Sequence, residues 1–129
     1  MSDARLRSPL GRAIGLGSAK EGVEHWWRQR VTAVALVPLT LWFVVVVIEL
    51  AGGDRPALVA WLHHPMPAML MILLIVASFY HAALGLQVVI EDYVHSEGLK
   101  LAAITVVRLL CIVFVARGVL AVLQLALGA

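Results

Sequence analysis

Residues 66–90 read MPAMLMILLIVASFYHAALGLQVVI, and these 25 consecutive residues decide the fold because none of them is Asp, Glu, Lys or Arg. A helix of about 20 apolar residues, rising about 1.5 Å per residue, is long enough to cross a hydrocarbon core of about 30 Å. The stretch is continuously apolar, whereas strands of a membrane β-barrel alternate apolar and polar residues. It therefore predicts a transmembrane helix.

Two further apolar runs, at 31–51 and 99–127, flank this stretch. Of the 129 residues, 62% are hydrophobic and 14% are charged, against about 45–50% and 25% in soluble domains. So little polar surface cannot cover a water-soluble globule, and the apolar excess must face lipid or partner chains. We predict an all-α membrane protein, with a three-helix anchor domain at 31–129 whose spans are 31–51, 66–90 and 99–127.

The N-terminal segment 1–30 is basic, since it holds six of the ten Lys and Arg residues against three acidic residues. This bias is typical of a cytoplasmic flank and not of a nucleic-acid-binding arm. The segment has no apolar stretch followed by a small-residue cleavage site, so we expect no secretory signal. With three spans, the chain is predicted to have a cytoplasmic N-terminus and a periplasmic C-terminus.

The segments around the first span carry local structural signals. Ser18 and Glu21 match the S-x-x-E capping box, which predicts that a helix begins at the membrane interface ahead of the span. Residues 52–65 combine Gly, Asp and Pro with an interfacial Trp61, a composition that predicts an outer loop.

Cys111 is the only cysteine of the chain, and it lies inside the last apolar run. Disulfides within the chain, Cys-ligated zinc and iron–sulfur clusters are therefore excluded. Any redox cofactor must use other ligands.

His81 is the strongest candidate for a functional residue, because it lies deep in a span that is otherwise free of charge. A neutral imidazole is a common axial ligand of haem iron; alternatively, His81 forms a hydrogen bond to a neighbouring helix. Gly85 lies on the same helical face, four residues on, and would leave room for a flat macrocycle or for close helix packing.

Tyr93 follows His81 by twelve residues, which is about 18 Å further along a continuous helix. It is therefore expected at the inner interface, next to Asp92. The phenol could donate a hydrogen bond to a quinone carbonyl while Asp92 relays protons; alternatively, Tyr93 is an interfacial aromatic residue beside an exposed acid.

Six other charged or ionisable positions have open interpretations. Arg28 and Arg30 could bind lipid phosphates or haem propionates, for which the arginine fork is well shaped. We expect mainly structural roles for the remaining ones, which are Arg108, Arg117 and the His63–His64 pair.

Two stretches together resemble a known family: His25-Trp-Trp-Arg-Gln-Arg30-Val-Thr-Ala, and His81-Ala-Ala-Leu-Gly85-Leu-Gln-Val-Val-Ile-Glu-Asp92-Tyr93-Val. They are similar to the hydrophobic membrane anchor subunit, the D subunit, of bacterial succinate dehydrogenase. The resemblance covers essentially the whole chain. Some family members carry a His six residues before the Arg, where this chain has Glu24, with His25 one place along.

The resemblance implies a non-catalytic subunit of respiratory complex II, in which a flavoprotein oxidises succinate and an iron–sulfur subunit carries electrons. It also implies that a second, cytochrome b556-type anchor packs with this chain into a heterodimeric helical bundle that binds ubiquinone and one haem b.

The same resemblance implies roles for individual residues. His81 would be an axial ligand of the haem iron, Arg30 would lie near the haem propionates, and Tyr93 with Asp92 would belong to the quinone site. Two alternatives remain open at this point, namely a haem-free three-helix scaffold or assembly protein and the anchor of a fumarate reductase.

Overall fold

The computed structural model describes the backbone of residues 18–128 and the side chains of residues 22–128. Within this range the chain forms four helices: α1 Ser18–Glu49, α2 Arg55–Leu62, α3 Pro65–Tyr93 and α4 Glu97–Leu127. Three of them, α1, α3 and α4, are long and apolar enough to cross a membrane. The predicted all-α class with three spans is confirmed. The basic residues Arg5, Arg7 and Arg12 lie outside the described residues.

Helix α1 joins the interfacial segment and the first span into one continuous helix of 32 residues. It begins at Ser18, where the capping-box pattern predicts a helix start, although the side chains of Ser18 and Glu21 lie outside the described set. Pro38 lies inside the helix, which does not break there. Proline removes a backbone donor, and membrane helices tolerate this loss because neighbouring groups compensate for it.

The prediction of a loop at residues 52–65 was wrong, because eight of these residues form helix α2. Asp54 is the N-cap, and its side chain accepts a hydrogen bond of 3.1 Å from the Ala57 N–H. Pro56 lies in the first turn, where a missing N–H costs nothing. Asp54 and Pro56, which suggested a loop, therefore mark the start of a helix.

The three spans form a layer in which α3 lies between α1 and α4, and among the described residues no Cα atom of α1 lies within 8 Å of a Cα atom of α4. Helix α3 packs closely on α4, where the rings of Phe79 and Phe114 stack at 5.8 Å between centroids. Gly118 of α4 permits this approach, since a Cβ at that position would lie 3.1 Å from Ile75 Cγ2.

The interior of this layer is small. Among the described side chains five apolar ones are buried, and three of them, Leu62, Ala68 and Val122, form a cluster where α2 covers the ends of α3 and α4. Most large apolar side chains of the spans are exposed on the two sides of the layer. In the membrane these sides must contact lipid or other protein chains.

Candidate functional site

His81 lies in the second half of α3 and is half-buried against α1. Its Nδ1 is 2.9 Å from Thr32 Oγ1, so a hydrogen bond joins the two helices at this point. No group among the described residues bonds Nε2 of the same ring. The hydrogen-bonding alternative for His81 is therefore realised through one nitrogen, while the other nitrogen remains available to a metal ion.

Gly85 lies one turn beyond His81 and also faces α1. A Cβ built on Gly85 would lie 3.9 Å from Gln29 Nε2, which is ordinary van der Waals contact. The contacts within this chain therefore do not require a glycine at position 85. A role for Gly85 beside a haem ring stays a prediction.

Thr32 with His81 and Gln29 with Gly85 define an antiparallel register between α1 and α3. His25 lies two turns before Thr32 on the same side of α1, roughly level with Val88. Its Nε2 is buried and has no hydrogen-bond partner among the described residues. His25 is thus the one described residue with a buried side-chain nitrogen or oxygen left unsatisfied by this chain.

Tyr93 is the last residue of α3, and the helix is continuous from His81 to Tyr93. This continuity places Tyr93 about 18 Å along the axis from His81. Its side chain is 78% exposed, and Asp92 is exposed beside it. Both groups are free to meet a ligand or a partner chain at this end of the layer.

Arg30 is exposed, and its guanidinium lies over the Trp26 ring, 5.2 Å from the centroid. Two residues turn a helix by about 200°, so Arg30 lies almost opposite Thr32 on α1. The structure therefore does not bring Arg30 and His81 together within this chain. A ligand that contacts both Arg30 and His81 must extend around α1.

A groove of about 580 Å³ runs between α3 and α4, and sequence patterns did not reveal it. Its walls are mostly apolar, but Arg108 Nη2 donates to Gln87 Oε1 at 2.6 Å, and Gln87 Nε2 donates to Glu91 Oε1 at 2.7 Å. Arg28 reaches the groove from α1 and pairs with Glu24. The signals in the sequence were Gln87 and Arg108, two polar residues inside predicted spans.

The opposite end of the layer is closed by His63, whose Nδ1–H donates to the backbone carbonyl of Ala126 at 2.7 Å. This bond satisfies one of the carbonyls left free at the end of α4. Among the described residues, no group of three or more His, Cys, Asp or Glu residues is placed to hold a metal ion. His63 thus ties the residues after α2 to the end of α4, and His64 is the N-cap residue of α3 without a side-chain capping bond.

Comparison with known proteins covers nearly the whole chain. Residues 4–115 match the family described as succinate dehydrogenase/fumarate reductase transmembrane subunit. The succinate dehydrogenase hydrophobic membrane anchor subunit of Paracoccus denitrificans is 35% identical over 97% of this chain and 96% of its own length.

Two further relatives have similar names. The protein of the same name from Rickettsia bellii is 34% identical over 91% of this chain and 94% of its own length. The succinate dehydrogenase membrane anchor subunit of Reclinomonas americana is 30% identical over 72% of this chain and 80% of its own length. No solved structure matches the chain.

Proposed function

The chain belongs to the succinate dehydrogenase/fumarate reductase transmembrane subunit family, and we propose that it is the hydrophobic membrane anchor subunit of a succinate dehydrogenase. The near-full-length match to relatives of that name carries the proposal. The family description includes fumarate reductase, but the three relatives compared above are all named for succinate dehydrogenase. Succinate oxidation is therefore the direction we propose.

In this proposal His81 is one axial ligand of a haem b, and the second ligand comes from a cytochrome b556-type partner anchor. The donor chemistry fits, because an imidazole with one nitrogen hydrogen-bonded and the other without a protein partner is the usual arrangement of a metal-bound histidine. When bound, the haem would supply a one-electron redox centre. Arg30 would contact a propionate only if the haem lies outside α1, between this chain and its partner.

Tyr93 and Asp92 would contribute to a ubiquinone site at the end of α3. The exposed phenol can donate a hydrogen bond to a quinone carbonyl, and the exposed carboxylate can pass a proton from water. Neither group acts on succinate. The chain is thus a non-catalytic subunit that helps to bind the quinone where electrons and protons reach it.

The exposed apolar sides of the three-helix layer support association with further membrane helices. We propose that the partner anchor covers part of this surface as a heterodimeric bundle, and that lipid covers the rest. The flavoprotein and the iron–sulfur subunit would lie on the cytoplasmic side, at the end of the layer that carries Tyr93.

Purification of the tagged chain from its native membrane tests this function. We expect a flavoprotein, an iron–sulfur protein and a second small membrane protein to copurify, with succinate-dependent reduction of ubiquinone and a haem b absorption spectrum. Recovery of the chain without flavin or iron–sulfur centres would contradict the anchor function and favour a scaffold or assembly protein. Recovery of an active complex without haem would contradict only the role of His81.

A further inference from the structure

We propose that Thr32 is a positioning residue that fixes the tautomer of His81, so that Nε2 carries the lone pair offered to a metal ion. This inference rests on the haem-ligating role proposed for His81. It concerns a different residue, on a different helix, that reaches His81 through a single hydrogen bond of 2.9 Å.

The hydroxyl of Thr32 has three neighbours and only one proton to share among them. Its Oγ1 lies 2.9 Å from the carbonyl oxygen of Arg28, 3.0 Å from that of Gln29 and 2.9 Å from His81 Nδ1. A carbonyl oxygen can only accept, whereas a neutral imidazole nitrogen can donate or accept. The hydroxyl proton is therefore directed to the carbonyls within α1, as is common for threonine in helices.

The direction of this proton determines the protonation of the imidazole. With its proton turned toward α1, the Thr32 oxygen presents a lone pair to His81, so Nδ1 must carry the ring proton and donate it. If the hydroxyl instead donated its proton to His81 Nδ1, no proton would lie between Thr32 Oγ1 and the two carbonyl oxygens about 3 Å away. Oxygen atoms that close without a proton between them repel each other. A neutral imidazole carries one N–H, so Nε2 is the unprotonated nitrogen.

This tautomer is the one that a metal ion requires at Nε2. A hydrogen bond from the other ring nitrogen also holds the ring in one orientation and raises the basicity of the ligand. Thr32 thus prepares His81 for the metal before any metal binds.

Three substitutions in the purified complex test the proposal. Thr32→Val removes the hydroxyl and keeps the shape, Thr32→Ser keeps the hydroxyl, and Thr105→Val is a matched control. Thr105 makes the same kind of bond to its own helix, 2.8 Å from Oγ1 to the Leu101 carbonyl, but among the described residues it has no histidine partner. The readouts are the rate of haem transfer to excess apomyoglobin and the midpoint potential of the haem.

We expect Thr32→Val to weaken haem binding by about 10- to 100-fold, the usual effect of removing such an outer hydrogen bond. The midpoint potential should rise, because a less basic ligand stabilises ferric iron less. Thr32→Ser and Thr105→Val should match the unmodified complex in both readouts. If the valine variant does not assemble, Thr32→Ala compared with Thr32→Ser isolates the hydroxyl in the same way.

Two results would overturn the inference alone: normal haem retention and potential without the hydroxyl, or a Ser variant as impaired as the Val variant. In both cases His81→Ala would still lose haem, so the proposed ligand would stand. If His81→Ala keeps a normal haem spectrum, the ligand assignment fails and the role of Thr32 fails with it.

Discussion

The two ring nitrogens of His81 have different surroundings, and this difference allows one side chain to hold two helices together and still bind a metal ion. Nδ1 is bonded to Thr32 on α1, whereas Nε2 has no partner among the described residues. A histidine with both nitrogens bonded to protein would be purely structural. The structure thus shows the helix–helix hydrogen bond, and the proposed ligand role, which the sequence presents as its alternative, is compatible with it.

His81→Ala is expected to lower or destabilise haem b in the assembled complex. The lost helix–helix hydrogen bond is worth only about 0.5–1.5 kcal/mol, so assembly should survive. The measurement is the α-band of the reduced-minus-oxidised spectrum at equal complex yield. His95→Ala is the control, since His95 is exposed in the turn after α3. An unchanged α-band in the His81 variant would contradict the prediction.

Tyr93→Phe is expected to slow ubiquinone reduction by about threefold to tenfold, which corresponds to one hydrogen bond of about 0.5–1.5 kcal/mol. Succinate oxidation by an artificial acceptor should be unaffected, because that reaction takes place in a soluble subunit. Tyr80→Phe is the matched control, since Tyr80 lines the groove between α3 and α4. Normal ubiquinone turnover in the Tyr93 variant would make this tyrosine an interfacial aromatic residue only.

At the scale of the helices, the apolar runs were sufficient to predict three spans, because length and continuous hydrophobicity are local properties. The short helix α2 was missed, since Asp and Pro occur both in loops and in the first turn of a helix. Which side of α3 faces which neighbour could not be predicted. All sides of α3 are apolar, so the pairing of His81 with Thr32 depends on helix packing that no local pattern encodes.

Gly118→Val is expected to destabilise the packing of α3 on α4. The Cβ alone would lie 3.1 Å from Ile75 Cγ2, so a larger side chain must push the helices apart. Overpacking of this kind costs about 1–3 kcal/mol. The measurement is the thermal unfolding midpoint of the purified complex in detergent, which should fall.

Gly98→Val is the control for this change, because a Cβ on Gly98 meets nothing within 4 Å. Adding Ile75→Ala to Gly118→Val should recover part of the lost stability, since it removes the atoms that clash. If the double variant unfolds earlier than Gly118→Val alone, the contact between Gly118 and Ile75 does not limit the packing.

At the scale of the whole molecule, the layered arrangement has charged residues at both of its ends. Because α1 and α3 are antiparallel, Arg28 and Arg30 near the start of α1 lie at the same end as Asp92 and Tyr93. The other end carries Glu49 and the capped helix α2. The apolar sides between the two ends show that the long helix axes cross the bilayer. They do not show which end of the layer faces the cytoplasm.

The charge distribution favours one direction, and we expect a cytoplasmic N-terminus and a periplasmic C-terminus. Residues 1–30 contain six of the ten Lys and Arg residues, and short basic flanks remain on the cytoplasmic side. Three spans then place residues 94–96, between α3 and α4, inside, and place α2 and residue 129 outside.

Fusions to alkaline phosphatase, active only after export, and to green fluorescent protein, fluorescent only inside, measure this orientation at two points. A fusion after residue 129 should show phosphatase activity without fluorescence, and one after residue 53 is the internal control with the same result. A fluorescent C-terminal fusion would contradict the orientation. It would also place Tyr93 and Asp92 outside, away from an iron–sulfur subunit on the cytoplasmic side. The quinone site proposed at the end of α3 therefore depends on this topology.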